Sequence, residues 1–284
     1  MFIHWFPGHM TKAIRMMQKE MSIVDSIIYV LDARAPFSCV NPAFDEIIGQ
    51  KPILYVLNKA DLVPKNELFK WQNYINNNHS KCITTNSTMK GGTKIFIKSL
   101  LEVNKEKLDR YAAKGVKKTI RAMVIGVPNC GKSTLINSLI GINRTVTGDK
   151  PGVTRGKQWV SIDKYIDLLD TPGTLYPDFS DQQKATNLAL IGSINEEVVD
   201  TNEMASEILS FLFENYPDKL FEKYPITEIS EKPLENLAIV AKRRGYILRG
   251  GEYDYERAAK AVVLDFRKQA FGKVILEKIN NDDK

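Results

Sequence analysis

The stretch that decides the fold is Gly126-Val127-Pro128-Asn129-Cys130-Gly131-Lys132-Ser133. It fits G-x-x-x-x-G-K-[ST] and follows the β-branched run Ala122–Ile125, with a helix expected from about Lys132. Glycines let such a loop wrap a phosphate, because successive N–H groups and the helix N-terminus face the anion. Lys132 is then placed for the β and γ phosphates and Ser133 for Mg²⁺, while Asn129, Cys130, Gly131 and Thr134 complete the nucleotide contacts.

Downstream, Asp170-Thr171-Pro172-Gly173 closes the apolar run Ile166–Leu169. An aspartate at a strand end after a phosphate loop is placed to hold Mg²⁺, and the Gly173 N–H is placed to sense a γ-phosphate. Between the two lies Pro151-Gly152-Val153-Thr154, a turn whose threonine is a further candidate Mg²⁺ ligand. Upstream, Asn58-Lys59-Ala60-Asp61 follows the run Ile53–Leu57. The Asp61 carboxylate can accept from guanine N1–H and the exocyclic amine together, a pairing that adenine does not offer. Asn58 is expected at the N7/O6 edge and the Lys59 stem along the base face. After Cys82–Thr85, Asn86 and Ser87 suit contact with guanine O6. These features make the nucleotide GTP, hydrolysed to GDP.

Short β-branched runs at Ile27–Leu31, Ile53–Leu57, Cys82–Thr85, Ala122–Ile125, Trp159–Ile162 and Ile166–Leu169 read as buried strands. Helical stretches are expected around 11–22, 41–49, 65–77, 92–108 and 132–140. This alternation predicts an α/β fold, a mostly parallel sheet with helices on both faces, over residues 1–177. From about residue 178 the strand pattern stops. Ala205, Ile208, Leu209, Leu212, Phe213 and Tyr216 lie on one helix face, and Ala259, Val262, Val263, Phe266 and Ala270 on another. Asp254 is a candidate N-cap for the latter. Leu234, Leu237, Ala238 and Ala241 form a third face. Residues 178–284 are thus expected to be a small all-α domain.

The 284 residues are 43% hydrophobic and 26% charged, which excludes a disordered or low-complexity chain. No apolar run approaches the ~18 residues of a membrane span. Three scattered cysteines and no secretory pattern at the start point to the cytoplasm. The net charge of +6 is uneven: residues 1–177 carry 25 basic and 14 acidic groups, 178–235 carry 4 and 13, and 236–284 carry 11 and 7. Segment 104–121 alone has seven Lys/Arg against two acids, and Lys242-Arg243-Arg244, Tyr246 and Arg249 form a second basic element with a ring for base stacking. A polyanion, such as RNA, fits this pattern.

The order of these elements carries further information, since the guanine motif ends 65 residues before Gly126. With Trp5-Phe6-Pro7-Gly8-His9-Met10 and Asp32-Ala33-Arg34, the layout resembles the circularly permuted GTPases, and most closely those of bacterial ribosome biogenesis, over nearly the full chain. The resemblance implies a cytoplasmic GTPase acting late in assembly of the large (50S) ribosomal subunit. Its partners would be the subunit precursor and its rRNA, with the helical tail docking on rRNA. It would not associate with membranes and would be monomeric off the ribosome. It also implies that Asn129 helps to hold K⁺ between the phosphates. The position after Gly173, where many GTPases carry a glutamine that orients water, holds Thr174, which departs from the hydrophobic residue usual in the permuted relatives. His9, after the Pro7-Gly8 turn, is the candidate catalytic group beside Lys132. A GTPase of another RNA process, such as tRNA modification, and a nucleotide-gated RNA-binding scaffold are the competing readings.

Overall fold

The computed structural model describes residues 8–76, 80–88, 91–140, 158–176, 181–230 and 232–279, without the side chains of His9 and Glu196. Residues 1–7, Thr154 and the turn around it lie outside the described residues. The chain divides into two compact units, one of Phe6–Asp178 with Glu277–Lys284 and one spanning Phe179–Leu276.

The first unit is built on a six-stranded sheet of β1 (Ser26–Asp32), β2 (Ile53–Asn58), β3 (Ser80–Thr84), β4 (Ile120–Ile125), β5 (Gln158–Asp163) and β6 (Ile166–Asp170), in the order β3-β2-β1-β4-β6-β5. Every neighbouring pair is parallel except the edge strand β5, which is antiparallel to β6. All seven residues of β1 are buried, as a strand covered on both faces requires, whereas β5 is mostly exposed. The accompanying helices are α1 (Gly8–Glu20), α2 (Ala43–Ile48), α3 (Lys65–Ile75), α4 (Thr93–Val103), α5 (Lys105–Ala112) and α6 (Lys132–Ile140).

The single helix expected over 92–108 is in fact two. Asn104 leaves helical geometry, and its buried amide donates to Ser26 Oγ (3.0 Å) and Leu100 O (2.8 Å), tying the break to the start of β1. Beside it, Asp25 joins the starts of β1 and β4: the Asp25 N–H donates to Arg121 O (2.7 Å) and Arg121 N–H to Asp25 Oδ2 (2.8 Å). Lys107 (2.5 Å) and Lys118 (2.9 Å) pair with the same carboxylate.

The second unit holds α7 (Gln182–Leu190), α8 (Thr201–Asn215), α9 (Pro217–Lys223), α10 (Pro233–Arg244) and α11 (Tyr255–Arg267). Asp254 caps α11 through Arg257 N (3.0 Å). Its buried face is Ala258, Ala259, Val262, Val263 and Phe266, while Ala270 lies beyond the helix and exposed. On α10 the buried face is Asn236, Leu237, Val240 and Ala241; of the expected stripe Leu237 and Ala241 are buried, Ala238 is half-buried and Leu234 is exposed. Helix α7, absent from the expected elements, is capped by Asp181, which accepts from Gln183 N and Lys184 N (both 3.1 Å). At the far end Glu277 belongs to the first unit, where its carboxylate accepts from Phe37 N (2.6 Å), Ser38 N (3.0 Å) and Ser38 Oγ.

Burial pushes the Asp25 carboxyl up, but Lys107, the Arg121 N–H and Lys118 outweigh it and hold the group below its ordinary value. Its stabilising contribution is therefore present above the ordinary carboxylate range and fades as pH falls through it. Asp25→Asn should destabilise the protein by ~2 kcal/mol at pH 7. In denaturant melts that deficit should shrink steadily between about pH 5 and pH 3.

Candidate active site

The carboxyl ends of β2, β1, β4 and β6 lie side by side, which is where open parallel sheets bind ligands. The loops that follow them bring the four described motifs together. Gly126–Ser133 leaves β4 and turns into α6, with Asn129 in the left-handed region (φ 58°) and Gly131 at φ 97°. A side chain at Gly131 would collide with the Asn58 amide nitrogen. The close approach that forbids it is a hydrogen bond: Asn58 Nδ2 donates to Cys130 O (2.8 Å). Asn58 Oδ1 accepts from Ser87 N (3.2 Å) and Ser87 Oγ (2.6 Å). Asn58 is 2% exposed and ties the phosphate loop to the loop after β3.

Lys59, also left-handed (φ 57°), donates to Asn129 O (2.7 Å) and pairs with Asp32 (2.9 Å). Ala60 N donates to Thr85 O (3.0 Å), and Asp61 is exposed at the rim. Asn86 Oδ1 accepts from Thr88 N (3.0 Å) and Thr88 Oγ1 (2.6 Å), shaping the turn that carries Ser87.

On the phosphate side, the buried Lys132 ammonium donates to Gly126 O (3.0 Å) and Val127 O (2.9 Å). Cys130 is buried, and Thr134 is half-buried in the first turn of α6. The Asp170-Thr171-Pro172-Gly173 segment passes so close that a Cβ on Gly173 would sit 2.6 Å from Pro128 Cα and 2.9 Å from Lys132 Nζ. Thr171 Oγ1 donates to Val124 O (2.7 Å). Ser133 Oγ donates to Asp170 Oδ2 (3.0 Å), while Asp170 Oδ1 is buried with no hydrogen-bond partner. Burial pushes the Asp170 carboxyl above its ordinary value, only partly offset by Lys132, Ser133 and the Thr171 N–H. A buried carboxylate oxygen without a donor, beside a serine hydroxyl, suits a hard divalent cation with oxygen ligands, so these residues fit Mg²⁺.

Thr174 is fully buried, its N–H donates to Gly126 O (3.3 Å), and its hydroxyl has no partner. The Leu175 N–H donates to Met10 Sδ (3.4 Å), which sets the first turn of α1, where His9 lies in sequence, against the segment after Gly173.

The chain has counterparts among known proteins. Residues 121–235 match a family described as "50S ribosome-binding GTPase". Ribosome biogenesis GTPase A from Bacillus pumilus is 39% identical over 279 residues, covering 98% of this chain and 99% of that protein. The chain belongs to the ribosome biogenesis GTPase A family. It is a GTPase. Among solved structures, GDP-bound TM YlqF superposes with a TM-score of 0.68 at 25% identity, covering 93% of this chain and 99% of that one. GNP-bound YlqF from T. maritima gives 0.65 at 27%, covering 94% and 98%.

In this GTPase the second unit carries the other expected surface. Lys242, Arg243 and Arg249 are exposed, but Arg244 pairs with Asp265 and donates to Tyr224 OH (3.2 Å). Arg257 lies 4.3 Å from the centroid of the Tyr246 ring, so one of the two faces of that ring is occupied from within. Ile247 (59% exposed) and Leu248 (49%) project instead. Asp32 and Arg34, whose side chains pair beside Lys59, also belong to this site. The available signal was a charged residue closing an otherwise apolar strand.

Asp170→Asn should raise the melting temperature of the nucleotide-free protein by about 2 °C or more, because it removes a buried, under-partnered carboxylate. In the same variant Mg²⁺-dependent GTP hydrolysis should fall by at least ~10²-fold, measured as phosphate release.

Proposed function

We propose that this GTPase binds the immature large ribosomal subunit and its rRNA at a late assembly step, and that GTP hydrolysis releases it. The reading is carried by the near-full-length likeness to proteins named for ribosome biogenesis, and the exposed cations of both units supply the chemistry. Lys105, Arg110, Lys114 and Lys117 are exposed on and after α5 with no acidic partner among the described residues, as are Lys242, Arg243 and Arg249. Unpaired surface cations bind phosphate backbones by counterion release.

In the catalytic cycle Lys132 exchanges its loop carbonyls for β and γ phosphate oxygens, and the N–H groups from Asn129 to Thr134 hold the phosphate chain. Asp61 selects guanine from the rim and the Lys59 stem lies along the base. Ser133 and Asp170 hold Mg²⁺, with Thr154 as a third ligand when a γ-phosphate is present. The metal, when bound, neutralises charge shared by the β and γ phosphates. Asn129 would help to hold a K⁺ ion, as the family resemblance implies, and that ion would supply further positive charge at the β and γ phosphates. His9 orients the attacking water, a role supported by the Met10–Leu175 contact beside Gly173. The Gly173 N–H senses the γ-phosphate, and the chain runs from there into the second unit within a few residues, which links hydrolysis to release. The protein acts in the cytoplasm, as a monomer when off the ribosome, with the first unit as its GTPase part and the second as its RNA-binding part.

Co-sedimentation with immature large-subunit particles tests this function. Binding should be at least about fivefold tighter with a non-hydrolysable GTP analogue than with GDP, and should weaken steeply with salt. Equal binding in both states, or preferential binding to tRNA, would overturn it. For the chemistry, His9→Ala should lower kcat on particles by ~10²-fold with GTP affinity nearly unchanged, and replacing K⁺ by Na⁺ at constant ionic strength should slow the wild type.

A further inference from the structure

We propose that Asp32 is a positioning residue for nucleotide binding: it fixes Lys59 across the gap between the guanine-side loop and the phosphate loop, and acts on the nucleotide only through Lys59. The proposal rests on the reading of Asn58–Asp61 as the guanine site.

Asp32 closes β1 directly opposite Asn58, the last residue of β2. Its carboxylate is fully buried. Oδ1 accepts from Arg34 N (3.0 Å) and Arg34 Nε (2.9 Å). Oδ2 accepts from Arg34 Nη2 (2.8 Å) and pairs with Lys59 Nζ (2.9 Å). The same ammonium donates to Asn129 O (2.7 Å) in the phosphate loop, 70 residues away in sequence. Lys59 is therefore held at both ends: its backbone sits in the left-handed region, and its ammonium is shared between a carboxylate and a loop carbonyl. Its side chain is 28% exposed, so the stem keeps an open face. Burial pushes the Asp32 carboxyl up, but the two cations beside it hold it well below the usual carboxylate range, so it remains charged at any physiological pH.

The carboxylate is required because of the charges around it. Arg34 is itself buried, and Lys59 brings a second cation to the same oxygen. Without the negative charge, two like charges would face each other in a low-dielectric pocket. The arginine cannot lose its proton, so the lysine, which has a path to solvent, would swing out and release Asn129 O. The stem would then lose its alignment with the base. That contact is on the base side and is common to GTP and GDP, so both should be affected alike.

The test is a double-mutant cycle on nucleotide affinity, read with fluorescent GDP and a fluorescent non-hydrolysable GTP analogue, together with kcat at saturating GTP. Asp32→Asn and Lys59→Ala should each raise Kd about tenfold for both nucleotides. In the Lys59→Ala background, Asp32→Asn should add less than about twofold. The Asp32→Asn protein should keep its kcat within about twofold, a split that general misfolding does not produce. Should Asp32→Asn fold poorly, Asp32→Asn/Arg34→Gln leaves no unpaired buried ion; Lys59 then loses its carboxylate anchor without the repulsion, and Kd should still rise for both nucleotides, by less than in Asp32→Asn. Additive effects, or a Kd that ignores Asp32 while responding to Lys59, would overturn the proposal and leave the guanine site standing. If Lys59→Ala left both affinities unchanged, the guanine-site reading and the proposal would fall together.

Discussion

The hydrogen bond from the Asn58 amide to Cys130 O is the tie on which the site depends. It joins the end of one strand to the loop of another across 72 residues of sequence, and its second arm to Ser87 draws in a third loop. A buried amide meeting loop carbonyl and loop N–H groups tolerates little displacement, because each lost partner leaves a polar group unpaired in the interior. Gly131 is the corresponding requirement on the other side, since no side chain fits where the amide lies. The parallel pairing of β1 with both β2 and β4 makes this tie possible by setting the strand ends level.

On this frame the phosphate end is left electrostatically incomplete. The Asp170 carboxylate is buried, raised in pKa and bound on one oxygen only. Such a group weakens the fold that carries it, a cost that functional sites commonly bear. The guanine side is the opposite: Asp32 is surrounded by donors and gives up none of its capacity to a ligand. Two buried aspartates at the ends of strands in one sheet thus have different tasks, decided by how many donors each neighbourhood supplies.

The permuted chain order leaves the sheet neighbours required by the site unchanged, because adjacency is set by strand pairing and not by connection order. What changes is where the chain leaves. After Asp170–Gly173 it passes into the helical unit at Asp178/Phe179 and comes back at Leu276/Glu277, where the carboxylate of Glu277 caps the N–H groups of Phe37 and Ser38. Those residues follow Arg34 in the loop after β1.

The sequence by itself determined the nucleotide class, the α/β sheet, the helical second unit and the chain order, since these are written in local signals: β-branched runs, 3.6-residue stripes and glycine-bearing turns, each within about a dozen residues. Asp254 as the cap of α11 was legible for the same reason. Tertiary structure alone decided which side chains meet. Nothing near Asn58 in sequence indicates that Cys130 takes its amide, nothing near Arg244 that Asp265 and Tyr224 do, and nothing near Tyr246 that Arg257 covers its ring. The helix break at Asn104 is of the same kind, because its amide answers to Ser26, 78 residues earlier. A polar side chain is satisfied by whichever partner the fold brings within about 3 Å, and that partner is fixed by strand adjacency and helix packing rather than by its sequence neighbours.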